Sequence, residues 1–166
     1  MNKLLFAVLA LASIGGANAQ IKLAVINTQK ALLDTDEIKK AQAELEAKFK
    51  PRQDQMLKVQ KELEDIQAQL QSGKLNELGT QEITAEGQRK QRDLQRMQQD
   101  LQEDVQSQRT EILQRAGTRM QEVVKKLADE KGLDIVVDSG NTVFFKASFE
   151  ITTEATTAYN KAYPAK

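Results

Sequence analysis

No residue of this chain can serve as a thiol nucleophile or an imidazole base, because its 166 residues include neither Cys nor His. Ser-His and Cys-His pairs and most metal sites go with them. The carboxylates best placed for acid–base work are Asp134 and Asp138, which bracket Ile135-Val136-Val137. They sit at the ends of a β-type run without pocket-forming sequence around them, so they read as turn-capping groups. Lys74, Arg89, Lys90, Arg92 and Arg96 form a basic stretch, with Glu86, Asp93 and Asp100 interspersed. That mixture reads as a solvated helix face and admits at most a weak contact with anionic lipid. Over the whole chain 24 basic residues balance 24 acidic ones. A nucleic-acid binder normally carries a basic excess, and there is none. Neither an enzyme nor a cofactor is expected. The softer chemistry is that of Met56, Met97 and Met120, whose thioethers adapt to varied apolar partners.

The elements that position these residues begin after an export signal. Lys3 precedes the apolar run Leu4 to Ile14, Gly15-Gly16 breaks it, and Ala17-Asn18-Ala19 supplies a small-x-small cleavage site. Cleavage between Ala19 and Gln20 is therefore expected. A run of about 11 residues is too short for a membrane span, which needs ~20. Loss of Lys3 leaves 23 basic residues against 24 acidic ones, a charge of −1. The mature chain is expected to be exported, and without Cys it can form no disulfide in an oxidising exterior.

Residues 20–34 hold a strand, Ile21 to Ile26, and a brief helical piece, Gln29 to Leu33. Residues 35–131 read as a helical hairpin. Thr35 is a candidate N-cap, with Asp36 and Glu37 in the positive first turn. Phe49, Met56, Leu63 and Leu70 then occupy heptad a positions, and Ile38, Leu45, Val59 and Ile66 the d positions, with Gln42 and Arg52 as interruptions. The apolar stripe is narrow, as a coiled coil requires. This first helix would be roughly 55 Å long. Ser72-Gly73 stops it, and Gly79-Thr80 starts the second, with Thr80 as candidate N-cap. From Leu94 through Met97, Leu101, Val105, Gln108, Ile112, Ala116, Met120 and Val123 to Leu127 the seam takes nine steps over 33 residues. That eleven-residue rhythm implies a nearly straight or slightly right-handed seam. Folding about residue 76 makes the helices antiparallel and puts Phe49 near Glu103 and Asp36 near Ala116. The second helix then overshoots the first by roughly 15 residues. Pro51 removes a backbone hydrogen bond and Gly117 lacks a side chain, so both are candidate hinges.

Residues 132–166 return to a small body. Gly132 reads as a left-handed cap, Leu133 to Asp138 as a strand, Ser139-Gly140-Asn141 as a hairpin turn and Thr142 to Lys146 as the return strand. Thr152 is a candidate cap for a last helix with the apolar face Ala155, Ala158, Tyr159 and Ala162. Three short strands and two short helices make a body of about 50 residues, near the lower limit of independent stability. Its sheet would also expose two edges. Copies joined sheet to sheet would cure both defects, with Leu23, Val25, Ile135, Val137 and Phe144 at the subunit interface and the hairpins projecting as arms. The rival arrangement is a monomer whose hairpin folds back over the sheet. The fold class is thus α+β, mainly α, with a long antiparallel coiled-coil arm on a small β-sheet body.

In this order of parts the chain resembles the Skp (OmpH-like) family of periplasmic chaperones. The resemblance is carried by Lys22-Leu23-Ala24-Val25-Ile26-Asn27, Glu44-Leu45-Glu46-Ala47-Lys48-Phe49 with Arg52-Gln53, and Thr118-Arg119-Met120-Gln121 with Val124-Lys125. Leu133-Asp134-Ile135-Val136-Val137-Asp138 and Glu150-Ile151-Thr152 complete it. It implies a jellyfish-shaped homotrimer with a β-barrel hub. Its arms enclose unfolded outer-membrane β-barrel proteins and prevent their aggregation on the way to the outer membrane, without ATP or cofactor. Met56 and Met97 are then candidate client contacts. Known members are strongly basic, with a lipopolysaccharide site proposed on the arms; this chain is neutral and its cluster does not map onto theirs. The alternative from another class is a structural or tethering coiled coil of the cell envelope with no chaperone activity.

Overall fold

A computed structural model describes residues 21–165. The expected signal segment 1–19 and the Ala19–Gln20 junction lie outside the described residues. The chain runs β1 (Leu23–Ile26), α1 (Thr28–Leu33), α2 (Asp36–Gln71), α3 (Glu77–Lys131), β2 (Ile135–Asp138) and α4 (Thr152–Ala162), with single 3₁₀ turns at Ser139–Asn141 and Ala147–Phe149.

Local chemistry sets the helix bounds. Asn27 caps α1 by accepting the Lys30 N–H at 2.8 Å. Thr35 caps α2 as its spacing predicts: its hydroxyl accepts the Ile38 N–H at 3.3 Å and donates to the Leu32 carbonyl at 2.7 Å. Gly73 adopts φ +66° beyond the end of α2 and Gly132 φ +61° beyond α3, the left-handed region open to glycine at little cost. The start of α3 differs from expectation. Asn76, not Thr80, is the cap, its side chain accepting the Gly79 N–H at 2.8 Å. Thr80 lies one turn inside, and its hydroxyl donates back to the Asn76 carbonyl at 2.9 Å.

The two long helices form the expected antiparallel arm. Phe49, Ile66, Leu94 and Leu101 are buried between them, and the other seam positions of α2, from Leu45 to Leu70, are half-buried. Gln108 is half-buried too, so the eleven-residue rhythm continues through a polar residue. Cross-arm pairs fix the register: Lys90 with Glu62 at 2.7 Å, Arg52 with Asp104, and Arg115 with Glu37 at 3.2 Å. These place the fold point at about residues 76–78, as the turn position requires.

The overshoot of α3 is what builds the body. Ala116, Met120, Val123 and Leu127 pack with Ala24, Ile26, Ala31, Ile38, Ile151, Ala155 and Tyr159 into one core. β1 and β2 pair in parallel, Leu23 opposite Ile135 and Ile26 opposite Asp138. An isolated bridge joins Val25 to Glu150, and the Ile151 N–H donates to the Val25 carbonyl at 2.9 Å. The expected hairpin does not form. The Ser139–Asn141 turn leads into irregular chain, so Thr142 to Lys146 is no return strand. At the turn the Asp138 carboxylate accepts the Gly140 N–H at 2.8 Å and the Thr28 N–H at 3.1 Å; beyond it, no strand among the described residues pairs with 142–146. Thr152 is likewise the first residue of α4, not its cap. Its hydroxyl instead accepts the Asn27 N–H at 2.9 Å.

Candidate functional site

Two parts of the body carry the candidate site: an apolar face and the junction where the arm leaves it. Within the sheet β2 has β1 on one side, and no further strand pairs with it among the described residues. On β2 and in the chain that follows it large apolar groups are exposed: Ile135 is 45%, Phe144 79% and Val143 106% accessible. Leu23 and Val137 are half-buried. Val25 must be removed from the expected interface set, because it is fully buried within the single chain and has no surface left to offer. An unpaired strand edge and uncovered Val and Phe are surface that water solvates poorly and another chain can seal.

Asp134 and Asp138, the sequence's acid–base candidates, are structural. Asp134 accepts the Lys22 N–H at 2.8 Å and so fastens β2 to the start of β1. The contacts from Thr28, joined by the Gly140 N–H, hold the Asp138 carboxyl below its ordinary pKa. Each closes one end of the parallel sheet.

The arm junction holds a cluster that sequence reasoning missed. Glu37, in the first turn of α2, accepts two hydrogen bonds from Arg119 at 2.8 and 2.9 Å, one from Arg115 at 3.2 Å and one from the Tyr159 hydroxyl at 2.6 Å. One carboxylate thereby joins α2, α3 and α4. Desolvation pushes its pKa up, but the hydrogen bonds from Tyr159, Arg119 and Arg115 prevail and the carboxyl stays below its usual range. Burial, and then the Glu37 carboxylate, drive the Tyr159 hydroxyl strongly upward, so it remains a donor. Arg119 also lies over the Tyr163 ring at 4.8 Å, and the Tyr163 hydroxyl donates to Glu122 at 2.7 Å. The antiparallel register could have paired Glu37 with Arg115. Nothing local announced that Tyr159 would join them.

Along the arm, Met56 and Met97 are both half-buried and line one groove of about 390 Å³ between the helices. Met120 is fully buried in the body core. Pro51 lies inside α2. Gly117 has open space where a side chain would be, so close packing does not account for it; Gly87, whose added Cβ would lie 3.2 Å from Ile66, is the glycine of close approach. In the basic stretch Lys90 pairs with Glu62 and Glu86, and Arg96 with Asp93. Part of that charge is thus committed within the arm. Among the described residues no cluster of three or more His, Asp or Glu side chains could hold a metal ion. No described helix is long and apolar enough to cross a membrane.

A coiled-coil hairpin set between the two strands of a small, incompletely covered body defines a class of long-armed α+β protein. Residues 22–159 match the family model "Outer membrane protein (OmpH-like)", and the chain belongs to that family, the Skp/OmpH-like chaperones. It is 26% identical over 147 residues to a Skp-like protein of Pseudomonas aeruginosa, covering 87% of this chain and 88% of that one. Its fold is similar to a solved structure from Caulobacter crescentus, assigned as an OmpH-like outer membrane chaperone, with a TM-score of 0.74 at 14% identity and 89% of each chain covered. The expected family and the α+β, mainly α fold class both stand. Membership supports a chaperone role.

Proposed function

We propose that this protein is an ATP-independent holding chaperone of the periplasm. It binds unfolded outer-membrane β-barrel proteins in a space between the arms of several copies, three by family resemblance, and keeps them from aggregating. The observation that carries the reading is the exposed apolar surface of the body: Val143 and Phe144 stand in solvent, and among the described residues β2 has one edge unpaired. Copies meeting there, through Leu23, Ile135, Val137 and Phe144, would cover that face and splay their arms around a common space. No nucleotide is needed, because preferential binding of an unfolded chain shifts its equilibrium by mass action. The arm surface suits the task. Leu57 and Leu78 are exposed apolar groups, and the many Lys, Arg and Gln side chains present alkyl stems under wet tips. Catalysis and a bound cofactor have no part in this reading.

The test has two measurements on the protein purified after export. Light scattering is expected to show several copies per particle at micromolar concentration. Near-stoichiometric protein is expected to suppress aggregation of a urea-diluted outer-membrane β-barrel protein. A lone, well-folded species would remove the enclosed space, and assembly without suppression would leave the chain a tethering coiled coil of the envelope.

A further inference from the structure

The three methionines among the described residues occupy two environments, and Met56 and Met97 share one of them. Met56 on α2 and Met97 on α3 face each other across the arm in the register fixed by the Lys90–Glu62 and Arg52–Asp104 pairs. Both line the same groove with Val59, and both are half-buried. Fully covered seam residues flank them on either side, Phe49 and Leu101 toward the body and Ile66 and Leu94 toward the tip. The thioethers therefore line a groove that small solutes can enter, in a chain with no Cys to intercept an oxidant first. Met120, fully buried in the body, is the contrast within the same molecule.

We propose that Met56 and Met97 form an oxidation site that loosens the middle of the arm. With hydrogen peroxide, a sulfur lone pair attacks one peroxide oxygen, an S–O bond forms and the O–O bond breaks. The other oxygen leaves as hydroxide and takes the proton of the oxygen now bound to sulfur, giving water; sulfur loses two electrons and peroxide gains them. The product is a polar sulfoxide in a seam only one side chain wide on each helix. It is also a strong acceptor in a groove lined by Arg52 and Lys90, two of the cations that tie α2 to α3, here through Asp104 and Glu62. Competition for those donors and solvation of the new dipole both favour a parted seam. Methionine sulfoxide reductases reverse the change.

The test treats the purified full chain with hydrogen peroxide, folded and in urea, and follows each methionine by peptide mass. In the folded protein Met56 and Met97 are expected to gain oxygen well before Met120; in urea all three react alike. Amide exchange at residues 52–59 and 93–100 should then rise about fivefold or more, with the body unchanged, and return after reductase treatment. The double variant Met56→Leu with Met97→Leu keeps the apolar seam and should lose the response. Met120 oxidising in step with the others in the folded protein, unaltered exchange after oxidation, or a persisting response in the double variant would each overturn the proposal.

Discussion

At the scale of single residues, Glu37 matters most, because its one carboxylate binds three helices through Arg115, Arg119 and Tyr159. Replacing Tyr159 by Phe leaves Glu37 its two arginines and should cost about 1 kcal/mol in urea unfolding, the net worth of a typical hydrogen bond. Glu37→Ala strands both the Tyr159 hydroxyl and Arg119 and should cost about 2–3 kcal/mol. The pH dependence follows from the direction of the shift. The carboxyl of Glu37 has a lower pKa in the folded protein than its ordinary value of 4.5. Its contribution is therefore complete above that ordinary value and is lost as pH falls through the depressed one. The melting-temperature gap between wild type and Glu37→Gln should hold at neutral pH and narrow on acidification below pH 4.5. This cluster was half legible in the sequence. Glu37 and Arg115 lie equally far from the turn, whereas Tyr159 reaches them through a body whose packing no local pattern encodes.

At the scale of elements, much that depends on near neighbours is legible, although the caps expected at Thr80 and Thr152 fall elsewhere. The Thr35 cap, the stop at Ser72-Gly73, the Gly132 cap and both seams depend on neighbours within a turn or two of helix. The missing return strand shows the opposite case. Val143, Phe144 and Phe145 have strand propensity, but a strand needs a partner, and none among the described residues pairs with them. The threonines of α4 are weak helix formers, so the helix depends on tertiary contacts. Thr152 meets the Asn27 N–H and Thr156 donates to the Ala31 carbonyl at 3.0 Å, so hydroxyls supply some of these alongside Tyr159. The glycines make a matched set of tests by thermal melting. Gly117→Ala adds a methyl into open space and should stabilise the arm by about 1 kcal/mol. Gly87→Ala should gain less, because its Cβ meets Ile66 at 3.2 Å. Gly132→Ala should destabilise by roughly 1 kcal/mol, since φ +61° strains any side chain. If Gly117 serves as a hinge, as we propose, the Ala variant should also damp client-dependent expansion in solution scattering.

At the scale of the whole molecule, the architecture is an arm set into a body, and the body is completed by the arm. Four residues from the far end of α3, Ala116, Met120, Val123 and Leu127, supply its core. Truncating the arm at its base would therefore unfold the body, whereas shortening it near the turn should spare it. Phe144→Asp should separate the proposed assembly into single copies by sedimentation while helical circular dichroism is preserved, because Phe144 is 79% exposed and supports nothing inside the chain. The parallel pairing of β1 with β2 carries one more implication. Lys22 and Asp134, bonded at the mouth of this sheet, are 112 positions apart. The strand synthesised first thus meets its partner only once nearly the whole chain has been made. Until then a greasy ribbon waits unclaimed near the amino terminus, and during its own biogenesis this protein shares the predicament of the polypeptides it is proposed to guard.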